Sequence, residues 1–256
     1  DEFKIIFWWE FIHRFLGRLI GIFFLIPLVY FSFKLGFFKT ISFYLIFGLI
    51  CLQGFIGWYM VSSGLVDRVD VSHYRLALHL ILAFIILSLI FWNYLNYVNI
   101  KKLDIKINNF LPTFFIFLLF IQITLGAFVS GMDAGKIYNT WPLMGSSFFP
   151  NDNQIANLFY LSAFNDPSLM QFLHRVSAYI ILLFYFYIFL KVYLLKNSKY
   201  FNILKIIGGL LFLQIALGIL TLLSGAQIIL ASMHQISSIF LISSSVYFLF
   251  LNTKTN

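Results

Sequence analysis

The sequence is poor in almost everything a soluble enzyme is built from. Acidic and basic side chains together make up only 10% of its 256 residues, against roughly a quarter in a soluble domain, which excludes a globular fold with a water-facing surface. A single cysteine, Cys51, lies inside an apolar stretch; it excludes an intrachain disulfide and a cysteine-held metal cluster, and reads as a small buried hydrophobe. Prolines are few, and Pro27, inside the first apolar run, calls for no more than a local bend. Period-two alternation is missing, which argues against a β-barrel. What fills the chain instead is apolar: 61% hydrophobic residues including 34 phenylalanines, and a mean hydropathy of +0.94.

Continuous apolar runs long enough to cross about 30 Å of hydrocarbon fall near 11–33, 41–62, 74–96, 111–131, 171–194, 204–223 and 227–250. The fold class expected is therefore all-α, a polytopic membrane helical bundle with seven spans. The net charge of +8 does not form a basic face for nucleic acid. Its lysines sit between spans, at Lys34 and Lys39, at Lys101, Lys102 and Lys106, at Lys191, Lys196, Lys199 and Lys205, and at Lys254. Lysine-rich loops face the cytoplasm, so the C-terminus is expected inside. The opposite loops, 63–73, 132–170 and the turn Ser224–Gly225–Ala226, are then outside, Arg68 and Lys136 notwithstanding.

An internal repeat organises these spans. Glu10-Phe-Ile-His13-Arg14 recurs 161 residues later as Gln171-Phe-Leu-His174-Arg175, and at the same offset Gln53 and Gly57 recur as Gln214 and Gly218, and Ser63-Gly64 as Ser224-Gly225. Spacing kept over more than fifty residues marks two related halves running in the same direction. The span at 111–131, with Gln122 and Gly126, has no counterpart in the first half. We therefore expect one further span before Asp1, making eight helices as two parallel four-helix repeats. The halves are 1–98 and 111–256, joined by a cytoplasmic linker at 99–110.

Four histidines, His13, His79, His174 and His234, come to a similar depth near the outer ends of their spans. One from an earlier helix and one from the last can converge within each half. Two neutral imidazoles facing each other in an apolar core suit the axial positions of a haem iron, which already has four nitrogen ligands. Zinc is disfavoured, because no cysteine cluster or third ligand accompanies either pair. His73 matches His234 at the strict offset, but Leu76-Ala-Leu-His79 resembles Leu230-Ala-Ser-Met-His234 and favours His79. Arg14 and Arg175 follow the first histidine of each pair and can hold anionic propionates, with Arg18 and Arg75 as weaker candidates and snorkelling as the bland reading.

Glu10 breaks the symmetry. It lies one helical turn before His13, where the second copy carries neutral Gln171. A carboxylate beside one pair can transfer protons, so the N-terminal pair is expected to hold a reacting haem and the C-terminal pair a permanent one; a local ion pair with Arg14 is the alternative role. The Gln-x-x-x-Gly sites at Gln53, Gln122 and Gln214 read first as packing features, whose glutamines can bond across helices or to a haem-side group. The loop from Gly131 through Tyr138, Asn139, Thr140, Trp141 and Pro142 can cap one site.

These strings, together with Gly17-Arg18, Tyr74-Arg75-Leu-Ala-Leu-His79, Gly131-Met-Asp133-Ala-Gly135, Tyr138-Asn-Thr-Trp-Pro-Leu-Met144, Gln214-x-x-x-Gly218 and Leu230-Ala-Ser-Met-His234-Gln235, resemble the haem A synthase family over nearly the whole chain, in its mitochondrial and proteobacterial form. The resemblance implies oxidation of the C8 methyl group of haem O to the formyl group of haem A, through successive hydroxylations and loss of water from the diol. It implies His13 and His79 flanking haem O as substrate, His174 and His234 ligating haem B, and Glu10 acting on the substrate side. It also implies haem O supplied by haem O synthase, an electron acceptor yet to be identified, a homo-oligomer as one assembly state, and a location in the cell inner membrane with the haem sites toward the periplasm, or in the mitochondrial inner membrane. The oxygen-transfer route stays open between activated oxygen at the iron and water attack on a substrate cation. The main alternative is a membrane dihaem b-type cytochrome that passes electrons without modifying its haem.

Overall fold

The computed structural model describes residues 2–64, 71–98, 100, 107–194 and 198–253. Arg68, Lys101, Lys102, Lys106, Lys196, Lys254 and most of the expected linker at 99–110 lie outside the described residues. Among those described, seven long helices account for nearly all regular structure: α1 (Glu2–Leu35), α2 (Phe37–Gly64), α3 (His73–Tyr97), α4 (Phe110–Gly131), α5 (Pro167–Leu194), α6 (Ser198–Leu223) and α7 (Ile228–Asn252). All seven are long and apolar enough to cross a membrane. The described residues contain no sheet, only an isolated bridge between Met144 and Ser147. Backbone polar groups inside lipid must be satisfied within their own segment, and continuous helices do that.

The chain divides into two compact units, Asp1–Val69 and Asp70–Asn256. In the first, α1 packs against α2. Gly36 at φ +90° turns the chain between them, a conformation that glycine adopts without steric cost. Ser32 and Thr40 bond across that turn at 3.0 Å, and the Phe24 and Phe47 rings stack with centroids 6.4 Å apart. The helix α1 runs on through Pro27. Cys51, expected as a buried hydrophobe, is exposed on α2 within this unit, where α1 is the one helix packed on α2 among the described residues.

In the second unit α4 packs on α5, α5 on α6, α6 on α7 and α7 back on α4, while α3 lies against α4 and α7. The ring of four leaves α5 and α7 at opposite corners. Its main core joins Phe115 and Leu119 of α4, Ile181, Tyr185 and Ile188 of α5, Ile207 and Leu211 of α6, and Leu241, Ile242 and Val246 of α7. A polar knot closes the ring at the end where α4 begins and α7 finishes. The fully buried Asn252 accepts from the Tyr200 hydroxyl and from the Ile107 N–H at 3.0 Å, and donates to the Ile107 carbonyl at 2.9 Å.

At the other end, the segment 132–166 crosses from α4 to α5 through short 3-10 turns at Ala134–Lys136, Ile155–Phe159 and Leu161–Asn165. Asp166 starts α5, its carboxylate accepting the Leu169 N–H at 2.9 Å, with Pro167 in the first helical position where no N–H is needed. The turn from α6 to α7 places Gly225 and Ala226 at positive φ.

Candidate functional site

Each of His79, His174 and His234 lies about two turns into its helix from the end at which α3, α5 and α7 begin. The main core gives way before this level to a smaller cluster of Ala77, Leu125, Ala127, Phe128 and Met170. The main core's first members on α5 and α7, Ile181 and Leu241, each come seven residues after the histidine of that helix, about 10 Å along the axis. His174 and His234 stand on helices at two opposite corners of the four-helix ring.

Both histidines sit in the same kind of seat. Gln122 of α4 donates from Nε2 to the His174 carbonyl at 3.0 Å, and the same nitrogen is 3.3 Å from His174 Nε2. Ser177, one turn after His174, bonds Gln122 Oε1 and lies 3.1 Å from the His174 carbonyl. Gly126, one turn after Gln122, faces the imidazole so closely that a Cβ there would stand 3.1 Å from His174 Cε1. On the other pair of helices, Gln214 Nε2 donates to the His234 carbonyl at 2.9 Å and to Ser237 Oγ at 2.8 Å. Ser237 lies 3.1 Å from the His234 carbonyl, and a Cβ on Gly218 would stand 3.2 Å from His234 Cε1.

The ring nitrogens Nδ1 of His174 and His234 are buried with no hydrogen-bond partner. A buried polar atom left unpaired costs about 1–3 kcal/mol, so these rings are set up for a partner of another kind. Among the described residues no group of three or more His, Cys, Asp or Glu side chains gathers to hold a bare ion. Two imidazoles on opposite corners of the ring, each with an unpaired buried Nδ1 and a glycine against it, fit a ligand pair for iron in a macrocycle that brings its own four nitrogens.

The loop above is tied down by α5. Arg175 donates from Nη1 to the carbonyls of Thr140 at 2.9 Å and Leu143 at 3.3 Å, and from Nη2 to that of Tyr138 at 2.9 Å. Gln171 adds a bond to the Tyr138 carbonyl at 3.1 Å. Arg175 Nε is buried with no hydrogen-bond partner. The Tyr138 hydroxyl donates to Asp152 at 2.9 Å and Ser168 to the same carboxylate at 2.6 Å. Burial pushes the Asp152 carboxyl up, but the bonds from Ser168 and Tyr138 outweigh it and hold it below its ordinary value. Burial and the neighbouring Asp152 push the Tyr138 phenol up.

In the first unit, Glu10 and Arg14 form an ion pair along α1, each about half exposed, and His13 lies one turn from Glu10 on the same helix. His73 is the first residue of α3. Its ring meets Phe128 edge-on at 5.2 Å, and a Cβ on Gly131 would lie 2.8 Å from its Cα. Of the residues singled out in the sequence, the structure brings together His174, His234, Gln122 and Gln214 at one level, with Arg175 one residue beyond His174. Ser177 and Ser237 were missed. The signal was present: each stands three residues after a repeated histidine.

The arrangement defines a polytopic helical membrane protein with a seated pair of interior histidines under an anchored loop. The family model COX15-CtaA, described as cytochrome oxidase assembly protein, matches residues 1–246. The haem A synthase of Pelagibacter ubique (strain HTCC1062) is 51% identical over 260 residues, covering 100% of this chain and 76% of that protein. The haem A synthase of Rickettsia bellii (strain OSU 85-389) is 41% identical over 255 residues, covering 96% and 75%, and that of Rickettsia prowazekii (strain Madrid E) is 39% identical over 259 residues, covering 99% and 77%. The chain belongs to the COX15-CtaA family.

Proposed function

We propose that this protein is a haem A synthase, an oxidoreductase of the cell inner membrane that converts the C8 methyl group of haem O to a formyl group. The observation that carries this reading is the near full-length match to the family and to haem A synthases. The paired histidines give it a chemical basis.

In this reading His174 and His234 hold haem B, with Gly126 and Gly218 leaving their rings room and Arg175 Nε directed to a propionate. Haem B supplies one-electron transfer when bound. His13 and His79 flank the substrate haem O, Arg14 steadies its propionate side, and Glu10 takes up and releases protons beside it. The ion pair with Arg14 holds the Glu10 carboxylate along α1 until substrate carboxylates compete for the guanidinium. Gln171, at the corresponding place in the second half, bonds a loop carbonyl instead and cannot exchange a proton. The two halves, 1–98 and 111–256, are parallel repeats joined at 99–110, and the histidine ends face the periplasm. Haem O arrives from haem O synthase, and electrons leave to a separate acceptor.

The test is to supply haem O to the complete membrane protein with an electron acceptor and to identify the extracted haems by mass and absorption spectrum. Hydroxylated haem and haem A are expected. Haem O recovered unchanged from folded protein would overturn the assignment, and two unaltered haems with electron transfer intact would replace it with a dihaem cytochrome.

A further inference from the structure

The two histidine seats are alike in parts that the repeat alone does not require. One is built between α4 and α5, the other between α6 and α7, yet each uses Gln-x-x-x-Gly on the first helix and His-x-x-Ser on the second. In each, the amide nitrogen of the glutamine bonds the carbonyl of the histidine itself rather than of any neighbour. In each, the serine hydroxyl lies 3.1 Å from that same carbonyl and also bonds the glutamine side chain. The amide is thereby oriented with its nitrogen toward the histidine carbonyl.

Ordinary polar contacts between membrane helices have no reason to choose the histidine carbonyl twice. A ligand in a haem site does need its turn of helix and its ring orientation fixed, and groups outside the coordination shell commonly supply this. Gln214 and Ser237 are themselves more than nine-tenths buried, so their bonds act in a low-dielectric setting where they are strong. The first half departs from the pattern in sequence. Three residues after His13 stands Leu16, after His73 Leu76 and after His79 Leu82, so no candidate ligand there has the serine.

From this we infer that Gln122 with Ser177, and Gln214 with Ser237, are positioning residues that fix His174 and His234 as ligands of a bound haem. The inference rests on the haem B reading of that pair.

The experiment uses the full protein loaded with haem B in lipid nanodiscs. Gln122→Leu, Gln214→Leu, Ser177→Ala and Ser237→Ala are compared with Ser177→Thr and Ser237→Thr, which keep the hydroxyl. Haem B transfer to excess apomyoglobin, the low-spin ferric EPR signal and the melting temperature of the unloaded protein are read in parallel. Changes to groups that orient metal-bound histidines typically cost 10–100-fold in affinity. The leucine and alanine variants should therefore lose haem B at least about tenfold faster and shift the EPR g-values, while the threonine variants return both toward wild type. Haem loss and EPR unchanged in both leucine variants, with only the melting temperature lowered, would overturn the inference and leave the glutamines as helix-to-helix packing. Folded wild-type protein that takes up no haem B would instead overturn the haem B reading beneath it.

Discussion

Replacing Gly126 by alanine should separate the stability of the bundle from its grip on haem B. The added methyl carbon would stand 3.1 Å from His174 Cε1 and 3.7 Å from Nδ1, whereas carbon atoms rest at about 3.5–4.0 Å. The imidazole must therefore recede by roughly half an ångström, about the tolerance of a preorganised site. Against the overpacking cost of about 1–3 kcal/mol stands the gain of about 1 kcal/mol from removing a helical glycine. The unloaded protein should thus lose no more than about 2 kcal/mol, while haem B affinity falls about 10–100-fold. Gly218→Ala, with its methyl carbon 3.2 Å from His234 Cε1, should behave alike. Gly209→Ala is the control, since nothing lies within 4 Å of its Cβ position. Titration of the unloaded variants with haem B, paired with thermal melts, gives both quantities. If Gly126→Ala binds haem B as tightly as Gly209→Ala, the glycine is not reserving room for a ligand ring and His174 is not seated for coordination.

Other perturbations read different parts of the molecule. His174→Ala should abolish the stable haem B spectrum, while Glu10→Gln keeps that spectrum and lowers haem O conversion; equal effects on haem B occupancy would refute the division between the halves. Gly208→Ala drives a methyl group into the Tyr185 hydroxyl, which bonds the Leu204 carbonyl at 2.9 Å in the core. It should cost at least about 1–3 kcal/mol, seen as a lowered melting temperature at any haem content. The Asp152 carboxyl, held below its ordinary value of 3.8, contributes loop stability that is complete above that pH and is lost as the pH falls through the lower folded-state value. Hydrogen exchange across 138–152 should show acid loosening that Asp152→Asn flattens, and an unchanged acid profile in that variant would remove Asp152 from the account.

Apolar length made all seven spans visible in the sequence, because a bilayer imposes one composition on every residue that crosses it. The apolar run begins near 171, yet α5 begins at Pro167, because Pro167-Ser168 dilutes the apolar signal while Asp166-Pro167 supplies a helix start. The histidines and both glutamines of the seats stood out through repetition. Their serines did not, because a serine within an apolar helix gives no sign of which neighbour it bonds until the helices are packed. The role of Arg175 toward the loop was hidden for another reason. Its acceptors are backbone carbonyls 32 to 37 residues earlier, and a carbonyl has no sequence signature.

That guanidinium links two events that are otherwise separate. Three of its N–H groups organise the loop from Tyr138 to Leu143, and the unpartnered Nε–H sits on the same rigid plane. Whatever anion docks at Nε therefore inherits the orientation that the loop imposes, and the loop in turn is steadied by the anion's charge. If haem B is held as proposed, loop order and cofactor seating become coupled through this one side chain, and a change confined to the loop backbone should be felt as weaker retention of a cofactor it never touches.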